Sequence, residues 1–552
     1  MTKTLTNVGM RLTETARDNP QGMAVAMTDG RDSEGNWRYR QLTFCELDED
    51  SSRLAAGLRD MGVKPGMRLV LMVRPSIDFI SLVFALFKAG VVTVLIDPGM
   101  GRKNLMRCLH DSRPDGFVAI SLVQAIRTFR RGLFPNAKFN VTVGRRWFWG
   151  GKTIEQLRQT DASFDCSPTR ADDPAAIIFT TGSTGPPKGV LYRHGNFSRQ
   201  VDEIQQHYGI APGEIDLPCF PLFALFNSAM GVSTVIPQMD PTRPAEVNPQ
   251  NLVEHINDWQ VTQAFGSPAL WNVVGRYCES SGTQLPTLRR VLSAGAPVPP
   301  QVLRRIKQAM HHQGEMHTPY GATESLPVAS ISASEVLGGT EVQSRQGAGT
   351  CVGRRFPGIA WKVIAIHDDP IQSIAAAREI PRGQIGELIV RGDVVTTHYA
   401  TRTEANRLHK IEDGDGVWHR MGDVGYLDQE DRFWFCGRKS HRVLTAQGTM
   451  FTVPCEAIFN EHPQVYRTAL VGVGNPGVQE PILVVELLKT SGATLRIDWT
   501  SFVAELRALG AASSLTSSID KFLLHPSLPV DIRHNSKIFR EKLAIWAVRQ
   551  RH

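Results

Sequence analysis

Ile177-Ile178-Phe179-Thr180-Thr181-Gly182-Ser183-Thr184-Gly185-Pro186-Pro187-Lys188-Gly189-Val190 runs from an apolar strand straight into a loop of hydroxyls and glycines that closes on a lysine. Glycines let a backbone turn its N–H groups toward an anion, while hydroxyls and an ammonium add donors and charge. The stretch therefore reads as a phosphate loop. It is not of the Walker A kind, because Lys188 follows Pro187 rather than the glycine which that loop requires. Ten specified residues after a strand are also more than a flexible Gly/Ser turn needs.

Working outward, strands and helices alternate. Arg68 to Val73 is a continuous apolar strand, a helix follows from about Ile77 to Ala89, and a second strand spans Val91 to Leu95. The pattern returns at Ala175 to Thr180 and around Arg290 to Leu292. Short all-apolar strands between amphipathic helices predict parallel strands covered on both faces, an α/β fold. After about residue 345, Gly386 to Gly392 and Asp431 to Gly437 alternate between Gly-rich turns, the pattern of a small antiparallel, β-barrel-like subdomain. The charged Gly437 to Arg442 then marks a junction. The expected division is a large body over 1–437, β-rich over about 345–437, and a smaller α+β cap over 438–552.

The composition fits. A chain of 552 residues implies two to four domains, and 42% hydrophobic with 21% charged residues excludes disordered and fibrous classes. A net charge of +7 spread over this length is weak evidence for nucleic acid. Eight scattered cysteines with no C-x-x-C favour free thiols over a zinc knuckle or redox pair. The N-terminus lacks an apolar signal segment, and Ile77 to Ile96 is interrupted by Asp78 and Lys88, so a soluble, cytoplasmic chain without a transmembrane segment is expected. The basic-aromatic runs Arg127 to Arg131 and Arg145 to Trp149 read as a surface helix and a turn, with contact to anionic lipid or RNA as the sharper alternative. His311, His312 and His317 lack helical metal spacing.

Further motifs follow in order: Ser293-Ala294-Gly295-Ala296-Pro297, Tyr320-Gly321-Ala322-Thr323-Glu324, Gly386-Glu387-Leu388, Gly422-Asp423-Val424-Gly425, Gly437-Arg438 and Lys537. With the phosphate loop they resemble the adenylate-forming superfamily of acyl-CoA synthetases, luciferases and peptide-synthetase adenylation domains. The resemblance implies a large body of stacked αβαβα layers and a mobile C-terminal cap. It also implies that Thr180, Thr181, Gly182, Ser183, Thr184, Gly185 and Lys188 hold the phosphates of ATP, with Gly295, Ala296 and Pro297 on the adenine side.

Each of these residue types suits its implied task. Tyr320 offers a flat face to a purine, with Gly321 and Ala322 allowing close approach. Thr323 can bond the α-phosphate, and Glu324 is a hard oxygen ligand for Mg²⁺. Asp423 can accept the ribose hydroxyls with Arg438 across the cleft. Lys537 implies a cation between the attacking carboxylate and the α-phosphate, where charge builds up in the transition state. Lys537, Glu324 and Thr181 are the expected catalytic set, and no protein nucleophile is needed.

Departures from the common pattern narrow the subfamily. Pro221 to Asn227 is strongly apolar, with Ala224 where His is frequent; Phe223, Ala224, Phe226 and Leu326 are expected to line a hydrocarbon pocket. Ser440 replaces the usual hinge Asp or Lys, and Gly448 to Glu456 is one residue longer than the usual Gly-to-Glu spacing, which puts a thiol-accepting surface in doubt. Thr180 to Asn196, Cys436 to Val443 and Leu528 to Leu543 resemble the β-lactone synthetases of bacterial long-chain olefin biosynthesis. That resemblance implies activation of a 2-alkyl-3-hydroxy fatty acid as its adenylate, then closure by its own β-hydroxyl. It also implies association with a thiolase-like condensing enzyme, a reductase and a hydrolase-fold decarboxylase. A long-chain acyl-CoA or acyl-carrier-protein ligase is the second expectation. A membrane- or RNA-associated binding protein with a vestigial ATP site is a remote third.

Overall fold

A computed structural model describes residues 6–161, 164–180, 186–220, 223–490, 493–494, 497–530 and 537–550. Two sheets dominate. In the first, Lys152–Thr153, Phe139–Val143, Gly116–Ile120, Arg68–Met72, Val92–Leu95 and Pro174–Thr180 lie side by side and parallel. Lys188–Arg193 closes that edge antiparallel. The second sheet has a parallel centre running from Met23–Arg31 through Ser233–Ile236, Ile215–Pro218, Gln263–Gly266 and Arg290–Ser293 to Glu315–Ala322.

Five layers result. Helices Phe44–Asp60 and Ile77–Lys88 fill the space between the sheets, where one core cluster joins Leu69, Leu71 and Val118 of the first sheet to Ala24, Val25 and Ile236 of the second. Helix Arg102–Asp111 covers the outer face of the first sheet through Cys108 and Leu109. Pro249–Asp258, Pro268–Ser281 and Pro300–Ala309 cover the outer face of the second. The membrane-like stretch is thus the most enclosed helix in the molecule. Ser76 caps it, and its buried Lys88 is matched by Asp48 at 2.6 Å and the Ser52 hydroxyl at 2.8 Å. Among the described residues no helix is long and apolar enough to cross a membrane.

The β-rich stretch after residue 345 is present, and its strands are hydrogen-bonded onto the second sheet. Ser325–Ser332 turns the sheet antiparallel, followed by Thr350–Arg355, Arg432–Arg438, Gly416–Leu427, Gly386–Arg391 and Ala360–Ile364. Beyond Arg438 the described strands pair only with one another. Val465–Val473, Glu480–Leu487 and Lys521–Leu524 form a small sheet, packed by helices Thr452–Phe459, Trp499–Ala511 and Arg540–Arg549.

Candidate active site

Four strand ends converge on one cavity of about 3210 Å³ between the body and the C-terminal unit. Thr180 and Lys188 face each other across the hairpin that carries the phosphate loop. Thr181, Gly182, Ser183, Thr184 and Gly185 lie outside the described residues, as does the Thr180 side chain. Lys188 lines the cavity, and its ammonium lies 2.9 Å from His409 Nε2 and 4.9 Å from the centre of the Tyr399 ring. Burial, together with the surrounding Lys188, Lys439, Lys410 and Arg420, pushes His409 down to about 3. The imidazole is therefore neutral and accepts a hydrogen bond from Lys188.

Glu324 follows the strand Glu315–Ala322 and is almost fully enclosed. Tyr399 donates its hydroxyl to Glu324 Oε1 at 2.8 Å, and Thr396 fixes the Glu324 carbonyl through its backbone N–H and its hydroxyl. Lys410 lies 5.7 Å from the centre of the Tyr399 ring and donates to the Thr396 carbonyl. Burial pushes its ammonium down to about 7, although Glu324 pulls the other way. Thr323 is held by the Tyr192 hydroxyl, which donates to its carbonyl at 2.6 Å. Gly321 is required by packing: a Cβ there would sit 2.7 Å from the Ser325 carbonyl oxygen.

A second polar group lies across the cavity. The antiparallel register pairs Asp423 with Arg438, so both side chains leave the same face. Arg438 Nη1 lies 2.9 Å from Asp423 Oδ1 and also donates to the Met421 carbonyl. Tyr320 donates its hydroxyl to Asp423 Oδ2. Burial raises the Asp423 carboxyl, opposed by Arg438, Tyr320 and Lys537. Lys537 is thus near enough for its charge to act on Asp423, and it lines the same cavity from the C-terminal unit. Just beyond it, Arg540 clamps Glu456 through contacts of 2.6 and 2.7 Å. Gly295, Ala296 and Pro297 line the cavity beyond strand Arg290–Ser293.

The apolar candidates divide. Phe223, Phe226 and Leu326 line the cavity, with Phe223 stacked 3.5 Å from Phe265. Ala224 faces the other way, into the core between the sheets, and is not on the cavity wall. Ser440 lines the cavity within a tight turn whose neighbours hold the body: Lys439 contacts Glu387 at 3.1 Å, and Arg442 reaches Asp368. The Gly-Glu-Leu motif has a structural task here. Its Glu387 is buried against Arg420 and Lys439.

Motif spacing did not reveal Tyr399, His409 or Lys410. They come from a stretch between motifs and meet Glu324 and Lys188 only through the fold. The available signal was a tyrosine, a histidine and a lysine within twelve residues of otherwise unassigned chain. With them the cavity wall carries Lys188, Arg438 and Lys537 against Glu324 and Asp423, while Lys410 is buried near the Tyr399 ring. This electropositive cleft suits a polyanion.

Comparisons with known proteins agree with this geometry. Residues 12–400 match the family of AMP-binding enzymes. An olefin beta-lactone synthetase of Xanthomonas campestris pv. campestris is 47% identical over 99% of this chain and 98% of its own length. A second, from Stenotrophomonas maltophilia, is 45% identical over 98% of both. A solved anthranilate CoA ligase in complex with anthranoyl-AMP shares the fold at a TM-score of 0.78 and 18% identity, covering 99% of this chain and 98% of its own. With a family model matched over most of its length and relatives at 45–47% identity, the chain belongs to the AMP-binding enzyme family.

Proposed function

We propose that the chain is an AMP-forming ligase that converts a 2-alkyl-3-hydroxy fatty acid into its β-lactone for olefin biosynthesis. The likeness of 45–47% along the whole chain to two olefin beta-lactone synthetases carries this reading. The cavity supports it: cations gather at one end, and the wall around Phe223, Phe226 and Leu326 is apolar.

In the first half-reaction the substrate carboxylate attacks the α-phosphorus of ATP, and pyrophosphate leaves. Lys188 faces the phosphates, and Tyr320, Asp423 and Arg438 hold the nucleoside. Lys537 supplies positive charge where the attacking and phosphate oxygens meet. In the second half-reaction the β-hydroxyl oxygen bonds to the acyl carbon, and the acyl–phosphate bond breaks. AMP departs, and the hydroxyl proton passes to its phosphate. Both reacting groups belong to one molecule, so orientation alone gives a high effective concentration. The apolar wall excludes water that would otherwise hydrolyse the adenylate.

Mg²⁺ fits the donor set as an ion shared with phosphates. Among the described residues the hydrogen bond to Glu324 falls on Oε1, which leaves Oε2 to ligate, and a single carboxylate with substrate oxygens is an ordinary Mg²⁺ environment. The ion would neutralise phosphate charge. We assign residues 438–552 to a mobile cap that brings Lys537 to the nucleotide, and residues 1–437 to the body.

Incubation with ATP, Mg²⁺ and a 2-alkyl-3-hydroxy acid in the absence of any thiol tests this function. AMP and lactone should form together. If AMP formed only after CoA was added, and left as acyl-CoA product, the chain would be a thioester ligase instead.

A further inference from the structure

Helix Ser121–Phe129 is built inside out. Its buried position is polar: Gln124 is fully enclosed and donates to the carbonyls of Phe117 at 3.1 Å and Val141 at 2.9 Å. Its apolar positions Leu122, Ile126 and Phe129 fall three and four residues apart on one face and point outward, with Leu122 66% and Phe129 77% exposed. The loop after strand Phe139–Val143 extends this face. Trp147 and Phe148 are 62% and 65% exposed, and the rings of Phe148 and Phe129 meet edge-on at 5.9 Å. The loop is fixed from below, because buried Trp149 stacks on Trp147 and donates its Nε1 to Thr142 at 2.9 Å.

Charge on this face is one-sided. Residues 116–154 contain five arginines, two lysines and no acidic residue, a charge of +7 that equals the net charge of the entire chain. Arg130, Arg131, Arg145 and Arg146 are exposed, and among the described residues none of them pairs with a carboxylate. The face also meets the cavity: Leu122, Ile126, Arg130 and Leu133 line its outer mouth, while Glu324 and Arg438 line its depth.

We infer that this face docks on an anionic lipid bilayer, so that the apolar mouth of the cavity opens at the level of the acyl chains. Protein–protein interfaces also favour Arg and aromatic side chains, but residues 116–154 concentrate seven cations without one acidic residue, which favours a continuous anionic surface. Nucleic-acid surfaces use single stacking rings or wedges, whereas Leu122, Ile126, Phe129, Trp147 and Phe148 form a continuous apolar patch. Aromatic and aliphatic groups at the headgroup boundary, ringed by arginines that face lipid phosphates, are the pattern of an interfacial anchor. Docking would give water-insoluble hydrocarbon acids a route from membrane to cavity without crossing water. The surface is defined independently of which acid the chain activates.

Co-sedimentation of the full-length chain with vesicles of phosphatidylglycerol and phosphatidylethanolamine tests this, with pure phosphatidylcholine vesicles as the neutral arm. Binding to the anionic vesicles should weaken as salt rises and should exceed binding to neutral vesicles at least about tenfold. Arg131→Ala, Arg145→Ala and Arg146→Ala together should weaken it about 100-fold, at roughly fivefold for each basic side chain near an anionic surface. Phe129→Ser, Trp147→Ser and Phe148→Ser together should abolish the salt-resistant part. Both triple variants lie off the cavity wall, so an unchanged thermal midpoint and ATP-induced shift will show that they fold. The inference is overturned if the wild type does not sediment with anionic vesicles, or binds both vesicle types equally. It is also overturned if the variants keep full binding, or if they lose only self-association or RNA retention while vesicle binding persists.

Discussion

Tyr399→Phe removes one oxygen atom from the best-enclosed contact of the site. The hydroxyl donates to Glu324 Oε1 at 2.8 Å, and both side chains are nearly inaccessible to water. The ring remains, so the faces presented to Lys188 and Lys410 are preserved. A hydrogen bond to a charged acceptor contributes about 1.5–3 kcal/mol, which corresponds to roughly 10- to 150-fold in an equilibrium. Without it Glu324 keeps its place in the chain but loses the donor that orients its carboxyl group. Loss of an outer partner of a metal ligand typically weakens metal binding about 10- to 100-fold, in the same range.

The assay is pyrophosphate release titrated with Mg²⁺ at saturating acid and ATP. Half-saturation by Mg²⁺ should rise about 10- to 100-fold, with most of kcat recovered at high Mg²⁺. An unchanged Mg²⁺ dependence with reduced kcat would refute the reasoning, because Glu324 would then act on something other than the ion. Glu324→Gln is the companion variant. It should shift the Mg²⁺ requirement further than Tyr399→Phe does, since it removes the ligand charge itself.

Three other expectations are independent of the metal. Lys537→Ala should lower kcat for adenylate formation by about 10²- to 10³-fold while ATP affinity measured by equilibrium titration stays within about threefold, because the charge acts mainly in the transition state; a collapse of ATP affinity would give Lys537 a ground-state role. Tyr320→Phe, which strips Asp423 of a donor, should raise KM for ATP about tenfold and leave kcat nearly unchanged; a fall in kcat alone would exclude a purely binding role. Burial raises the Asp216 carboxyl to about 7, against the pull of the Asn227 amide. The folded state then holds a proton between about pH 4 and 7 that the unfolded chain has released, so stability is greatest at low pH and is lost as pH rises through 7. Asp216→Asn should flatten the change in thermal midpoint between pH 5.5 and pH 8; an equal change in both proteins would mean that Asp216 is ionised throughout.

What the sequence reveals depends on the distance over which a residue's task is set. The strand and helix at residues 68–95 are legible because short apolar runs and a Ser76 cap are local facts, and the buried Lys88 needs only Asp48 and Ser52 from the next helix. Motif order likewise identifies Asp423 and Arg438, whose pairing follows from strand register. Glu324 and Tyr399 are 75 residues apart, and no spacing rule joins them. Glu387 shows the opposite difficulty: its motif is visible in the sequence without a task, and only the fold shows its carboxylate against Arg420 and Lys439 inside the body. Ala224 lies one residue from a cavity-lining phenylalanine, yet helical geometry turns it into the core. The two basic-aromatic runs are visible as surface segments, but only the fold brings Phe129 against Phe148 and makes them one face.

The contacts that hold the C-terminal unit explain how it could move without unfolding. Glu387 is buried and contacts Lys439 beside Gly437, whose φ of +130° and close approach to the Thr452 hydroxyl leave no room for a side chain. This is a fixed point. Farther out, Arg345 pairs with Glu461 and Arg442 with Asp368, each with at least one partner well exposed. Exposed pairs of this kind contribute about 0–1 kcal/mol each, so breaking both costs little next to the binding energy of a nucleoside triphosphate. Rotation about Gly437 would separate the outer pairs and keep the inner one. Arg345→Ala with Arg442→Ala should therefore leave the thermal midpoint and KM for ATP almost unchanged, whereas Gly437→Val should sharply reduce kcat through strain and collision at the pivot. Normal turnover by Gly437→Val would refute the pivot, because a position that tolerates a β-branched side chain at that φ is not the tight point about which the units turn.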